Sequence, residues 1–349
     1  MRILITGYMG YLGSVLIPML LAKGHTVFGV DSELFKRCVF YKPQVEIPSL
    51  KADIRDLSVE DLYGFDAVIH LAGLSNDPLG DVNPKATYDV NYTAAVQVAS
   101  LAKYADVPRF LLSSSCAVYG NATSRYVNET SPLNPLTTFA KAKVNAEHDI
   151  GLLADAGFSP TFLRKPTMYG MSPYHRTDTV VNNLVAWAVV NQRVVLKTDG
   201  QSWRPLGHVE DVARAFVVAL SAQRHAIHNQ AFNVCRTEDN YSVQQIADVV
   251  RSVLPNVGFE YMTNASRDER SYRVDGSKIA RTLPDWQPQW TLQDGIQQLA
   301  EAYRDKGVTL DDFEGPRYKR VAYLKYLLAN DKLDMTLRWE TRKAQSVGE

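Results

Sequence analysis

The first thirty-one residues constrain this chain more than any other stretch. Arg2-Ile3-Leu4-Ile5-Thr6 is a short apolar run of the kind found in a strand buried on both faces. It breaks at Gly7, and glycines recur at Gly10 and Gly13 ahead of an apolar series at helical spacing: Leu12, Val15, Leu16, Met19 and Leu20. Gly24 stops that helix, and Thr26-Val27-Phe28-Gly29-Val30 predicts a second strand that ends on Asp31. The result is a βαβ unit with a G-x-x-G-x-x-G turn. Side chains in such a turn would hold the backbone away from a pyrophosphate lying on the helix N-terminus. Asp31, 18 residues after Gly13, stands where a carboxylate accepts hydrogen bonds from an adenosine ribose and repels a 2′-phosphate. A glycine turn by itself also serves purely conformational needs. Here strand, turn, helix, strand and terminal acid occur in order, which points to a dinucleotide, and to NAD rather than NADP.

Bulk properties narrow the setting. A chain of 349 residues can build one large domain or two unequal ones. Lysine plus arginine balances aspartate plus glutamate at 38 each, so no net field draws nucleic acid or a membrane surface. Cys38, Cys116 and Cys235 are scattered without metal-ligand spacing, which suits a reducing compartment. The first strand is predicted from residue 2, so no signal peptide is expected. No apolar run approaches the ~20 residues of a membrane span. The expectation is a cytoplasmic enzyme without a metal.

Further along, Asp53-Ile54 reads either as a pair flanking an adenine or as a turn into a surface helix. Residues 65–70 predict another buried strand opening into Leu71-Ala72-Gly73, whose small residues leave space at a strand's carboxyl end, where open α/β sheets bind ligands. Residues 84–104 predict one long helix containing Asn91. Phe110-Leu111-Leu112 runs into Ser113-Ser114-Ser115, presenting hydroxyls at the same sheet edge. A helix from about Thr138 carries Phe139, Lys143 and Glu147 on one face.

Together these residues resemble the extended short-chain dehydrogenase/reductase family, in its nucleotide-sugar epimerase and reductase branch. The matching pieces are T-G-x-x-G-x-x-G at 6–13, Asp31, Asp53-Ile54, H-L-A-G at 70–73, Asn91, S-S-S-x-x-V-Y-G at 113–120 and Lys143. Arg204 to Val212 is similar to the family's R-x-x-x-H-V-x-D-V segment, and Asp275, Lys278, Leu283 and Trp286 resemble a later one. The resemblance runs to about residue 305. It implies an α/β fold: a Rossmann-type doubly wound parallel sheet with a smaller C-terminal substrate-binding domain. The corresponding boundaries are 1–166 for the main NAD-binding part, 167–305 mainly for substrate with segments returning to the first, and 306–349 for an extension. For NAD it implies Gly7, Gly10, Tyr11, Leu12, Gly13, Asp31, Asp53, Ile54, Leu71, Ala72, Gly73, Asn91, Ser113, Lys143 and Pro166. For a nucleotide-diphosphate sugar it implies Ser75, Asn76, Ser115, Cys116, Thr167, Asn182, Arg204, Arg267 and Arg270. Relatives commonly pair through the long helices, so a homodimer is expected.

In that family a tyrosine four residues before the lysine is the general base. The lysine holds the nicotinamide ribose and lowers the phenol's pKa, and a strand serine shares the substrate hydroxyl. The resemblance gives Lys143 and Ser115 the last two roles. The tyrosine position, however, is Phe139. Phenylalanine takes no proton, and losing a positioned base costs ~10²–10⁴-fold in rate. Three explanations stand open: an engineered Tyr→Phe change that inactivates the enzyme, a different base, or a binding protein without catalysis. Relatives that eliminate water or decarboxylate carry an acid around positions 116 and 117, where this chain has Cys116 and Ala117. What the resemblance then implies is NAD-dependent C4 epimerisation of a nucleotide-diphosphate sugar through a transient ketone. The alternatives are an NAD(P)H-dependent ketoreductase and a catalytically silent NAD-binding regulator.

Overall fold

A computed structural model describes residues 1–340 except 76, 123, 124, 267 and 268. Its twelve strands are β1 (Arg2–Thr6), β2 (Thr26–Asp31), β3 (Ser49–Lys51), β4 (Ala67–His70), β5 (Arg109–Ser115), β6 (Ser159–Lys165), β7 (Thr167–Tyr169), β8 (Arg193–Thr198), β9 (Trp203–His208), β10 (Gln230–Asn233), β11 (Asn240–Ser242) and β12 (Gly258–Ser266). Seven of them form one sheet in the order β10-β6-β5-β4-β1-β2-β3. Every neighbouring pair in it is parallel. The chain starts in the middle, winds outward to β3, then crosses back to β4 and beyond. The strand order therefore reverses beside β1, and a crevice opens there at the carboxyl ends.

Alternation along β1 distributes the core. Ile3 and Ile5 join Leu16, Leu20 and Phe216 under the helices Gly13–Ala22 and Val209–Ser221. Leu4 faces the other way, with Val68, Val98, Phe110 and Ile150, under Ala94–Tyr104 and Thr138–Leu152. Because both faces are covered, the strands read as unbroken apolar runs rather than alternating ones.

Pro166 separates β6 from β7 and moves the chain out of the large sheet. A proline cannot donate to a ladder, so the pairing with β5 stops there. β7 joins β9 and β11 in a three-stranded sheet, while β8 pairs with β12. These rest on a second core that includes Val185, Leu196, Ile246, Ile296 and Tyr303. The segment predicted as one helix over 84–104 contains a π-helical turn at Asp89–Thr93, between Pro84–Tyr88 and Ala94–Tyr104. Such turns re-aim side chains and recur at functional sites. Asn91 sits in it.

Past residue 306, the helix Arg320–Ala329 and the residues after it fold back onto the carboxyl edge of the large sheet. Leu324, Leu327, Leu333 and Leu337 pack with Leu34, Cys38 and Leu74. The last ten residues, read from the sequence as frayed, lie outside the described residues apart from Glu340. No helix among the described residues is long and apolar enough to cross a membrane, and none of their His, Cys, Asp or Glu side chains form a metal-sized cluster.

Candidate functional site

The crevice beside β1 is lined by Gly7, Gly10, Tyr11, Leu12, Gly13, Asp31, Asp53, Ile54, Leu71, Ala72, Gly73 and Ser113. The turn after β1 is closed tightly. Gly7 has φ +74°, and a Cβ on it would lie 2.7 Å from the Ala72 nitrogen; one on Gly13 would lie 2.6 Å from the Gly7 carbonyl oxygen. Side chains are thus excluded from the turn, and the backbone of Gly13–Ala22 presents its N-terminus to the crevice. Asp31 accepts from the Met9 amide at 3.0 Å and the Glu33 amide at 2.7 Å. Burial raises its pKa, against those two hydrogen bonds. Asp53 does not stand free beside Ile54. Both of its oxygens are taken by Arg55, at 2.9 and 2.6 Å, and it caps the short helical turn Ile54–Asp56.

Two guanidinium groups close this crevice, and the sequence reading missed both. Arg176 binds Asp178 at 2.6 Å and Ser75 at 2.8 Å, which leaves its buried Nη2 without a partner among the described residues. Arg320 comes from the C-terminal extension. It donates to the Tyr174 carbonyl at 3.1 Å, and its Nε is likewise unpartnered. Burial and the neighbouring Arg176 hold its pKa down to about 10. A buried cation without an ion pair is costly unless an anion joins it. A glycine cradle with two orphaned guanidinium nitrogens therefore fits the diphosphate of a dinucleotide.

Deeper in, Asn91 and Lys143 meet behind Gly73. Asn91 donates to the Leu74 carbonyl at 3.1 Å, and its Oδ1 has no partner among the described residues. A Cβ on Gly73 would fall 2.4 Å from that Oδ1 and 3.8 Å from the Lys143 Nζ. Lys143 is 4 % exposed; burial lowers its pKa to about 8, with Glu147 pulling the other way. Neither side chain lines the crevice directly; both back its wall.

A second cavity of about 530 Å³ adjoins the first and shares Tyr11, Ser75, Lys165, Met168 and Arg176 with it. That size is in the range of small-molecule sites. Ser115, Phe139, Pro166, Thr167, Arg204 and Arg270 all line it. Ser115 Oγ accepts from the Ala117 amide at 3.1 Å, capping the turn Cys116–Tyr119. That turn points Ala117 into the cavity and buries Cys116, whose thiol donates to the Arg164 carbonyl at 3.3 Å. The placement of Cys116 as a substrate contact is corrected accordingly. Asn182 is corrected too. Its amide accepts from the Gly170 nitrogen at 3.1 Å and donates to Tyr11 and to the Arg176 carbonyl, while Asn183 beside it faces the cavity. Arg204 donates to the carbonyls of Trp203 and Arg270, and its guanidinium lies 5.9 Å from the Tyr272 ring centre. Asn76 and Arg267 lie outside the described residues.

Residues 3–235 match the family described as NAD dependent epimerase/dehydratase. Among curated proteins, the UDP-glucose 4-epimerase of Mycolicibacterium smegmatis is 27 % identical, over 88 % of this chain and 99 % of its own. UDP-glucuronic acid decarboxylase 1 of Arabidopsis thaliana is 26 % identical, over 90 % of this chain and 72 % of its own. Among solved structures, the NAD-dependent NDP-hexosamine 5,6-dehydratase TunA superposes with a TM-score of 0.79 at 24 % identity, over 89 % of this chain and 99 % of that one. The family match spans two thirds of the chain, the fold agrees over 89 % of it, and the crevice suits the cofactor: this chain belongs to the NAD-dependent epimerase/dehydratase family.

Proposed function

We propose that the protein epimerises a nucleotide-diphosphate sugar at C4, with NAD retained in the crevice beside β1. The observation that carries this reading over dehydration or decarboxylation is Ala117. It occupies the wall where those chemistries need a second proton-transfer acid, and the cavity's own carboxylates are already engaged. Asp178 pairs with Arg176, and Glu314 pairs with Lys319 and accepts from Trp187 at 3.1 Å. NAD, when bound, supplies a reversible acceptor for the C4 hydrogen and its electron pair. The chain's part is to hold the ribose and diphosphate through Asp31, Arg176 and Arg320, with Lys143 behind the Gly73 wall. It also seats the sugar against Ser115 and grips a second diphosphate with Arg204 and Arg270. Residues 1–166 serve mainly the cofactor and 167–305 mainly the substrate.

Purified protein is expected to carry NAD, visible in the absorbance of a heat-released supernatant. UDP- and dTDP-hexoses or uronic acids, followed by anomeric-proton NMR, are expected to equilibrate with their C4 epimers. Phe139 favours one competing reading, a silent NAD-binding regulator. Retained NAD with sugar turnover in neither the native chain nor Phe139→Tyr would establish that reading instead.

A further inference from the structure

The cavity that holds Ser115 lacks the tyrosine its family uses, so the proton of the sugar hydroxyl needs another acceptor. The carboxylates and phenols of the cavity wall, its second lysine Lys319, and Tyr119 nearby are all engaged elsewhere. Tyr11 donates to the Gly170 carbonyl at 2.6 Å and accepts from Asn182, and burial raises its pKa far out of the working range. Tyr119, four residues past Ser115, points away into a buried network, donating to Asn233 at 2.8 Å and accepting from Arg164 at 2.9 Å. Asp178 and Glu314 are paired with cations. Tyr272 is engaged with the Tyr119 ring and the Arg204 guanidinium.

Lys165 differs from all of these. It is the last residue of β6, in register with Ser115 at the end of β5, so the two side chains leave neighbouring strands at the same level. Pro166 follows it and turns the chain away, leaving the side chain at the seam of the two cavities, both of which it lines. Among the described residues it forms no hydrogen bond or ion pair, whereas Arg176, Asp178, Glu314 and Lys319 on the same cavity walls are ion-paired.

We propose that Lys165 Nζ, acting beside Ser115, is the group that takes and returns the proton of the sugar's reacting hydroxyl, in place of the tyrosine absent at position 139. This rests on the epimerase reading given above. The hydroxyl's O–H bond breaks and its proton passes to the neutral amine, which becomes an ammonium. The oxygen's electron pair closes the C4 carbonyl as the C4 hydrogen departs with its pair to the acceptor already assigned. In the return direction the ammonium protonates the developing alkoxide, so no proton is gained or lost over a cycle. The amine's environment suits the task. Burial pushes its pKa down to about 7, helped by Lys143 on the helix Thr138–Leu152 and by Arg176 from the loop after β7; Cys116, in the turn after β5, acts in the opposite sense. An acid–base group works best with a pKa near the operating pH.

The test begins on the free protein. Graded acetylation with acetic anhydride across pH 6 to 10, read per lysine by mass spectrometry, is expected to show Lys165 reacting with a midpoint about three units below the surface lysines. A midpoint with the surface group overturns the proposal. In the sugar assay, Lys165→Met is expected to keep its NAD and its KM and to lose ~10²-fold or more in kcat. Adding Phe139→Tyr to that variant is expected to restore turnover, since the family's own base then returns. Lys165→Met turning over at the native rate overturns the proposal. So does a native chain that is inert until Phe139→Tyr, an outcome that leaves the epimerase reading standing. Inertness of both the native chain and Phe139→Tyr toward every nucleotide sugar removes the epimerase reading, and Lys165's role with it.

Discussion

Glu147→Ala tests whether the site's geometry depends on a buried ion pair. Glu147 lies one turn beyond Lys143 on the same helix face. It receives Arg164 in a fork, with Nε 3.1 Å from each oxygen and Nη2 2.6 Å from Oε2, and it also accepts from Ser114. Arg164 passes the contact on to Tyr119 at 2.9 Å, and Tyr119 to Asn233. The carboxylate thus ties the lysine helix to the carboxyl ends of β5, β6 and β10, with both charged side chains under a tenth exposed. Removing one partner strands the other, at a cost of about 3–5 kcal/mol. At roughly 2 °C per kcal/mol for a domain of this size, the melting temperature falls by about 6–10 °C. Guanidinium melts of NAD-free protein should show the same loss as a shifted midpoint at constant slope. Pairing Glu147→Leu with Arg164→Met should recover most of it, because two apolar groups leave no charge behind. A single variant losing less than about 1 kcal/mol, or a double variant no better than the single, would refute the account.

Three further outcomes follow from the same geometry. Gly73→Ala pushes a methyl against Asn91 Oδ1, where 2.4 Å is available; NAD affinity by fluorescence titration should drop at least about tenfold, with little change in the far-UV spectrum. Trp339→Ala removes the indole that donates to the Ser32 carbonyl at 2.6 Å, and should speed the loss of retained NAD on dilution without altering the sugar KM. Stability of the NAD-free protein should rise from pH 7.5 to 9.5. Burial depresses Lys143 to about 8 and Lys165 to about 7, so in this window the unfolded chain, with ordinary lysines, binds more protons. The slope is about 1 kcal/mol per pH unit per lysine, and Lys165→Met should flatten it.

What was legible in the sequence was local. The β1 turn, its helix and Asp31 follow one another within a single periodic unit, and Ser115, Phe139 and Lys143 are fixed by strand-end and helical spacing. Side chains were misread where a partner, near or far along the chain, takes up the polar atoms or turns the backbone. Asn182 looks available near its helix start, but Gly170 and Tyr11 consume it. Cys116 and Ala117 exchange places because Ser115 caps a short turn rather than continuing the strand. Asp53 is occupied by its neighbour Arg55, which in turn donates to the Thr336 carbonyl at 2.8 Å. Arg320 and Leu337 carry no local mark at all, since their contact with the crevice exists only once the extension has folded back.

That extension bears on which reaction the site suits. Leu337 and Arg320 line the cofactor crevice, and Arg338 reaches Asp56, on the same turn as Asp53 and Ile54. Trp339 is bonded to Ser32, next to Asp31. With the adenosine end seated beside Asp31 as proposed, these contacts and the apolar packing of Leu324, Leu327 and Leu333 stand in the way of dinucleotide exchange. A ketoreductase would bear that opening at every turnover, because its cofactor leaves in a different oxidation state from the one that entered. An epimerase returns its cofactor to the starting state within the closed site and needs no opening between cycles. A segment folded over the proposed adenosine end is therefore compatible with rapid turnover in the second case and an obstacle in the first, which supports the proposal of retained NAD and C4 inversion over net reduction.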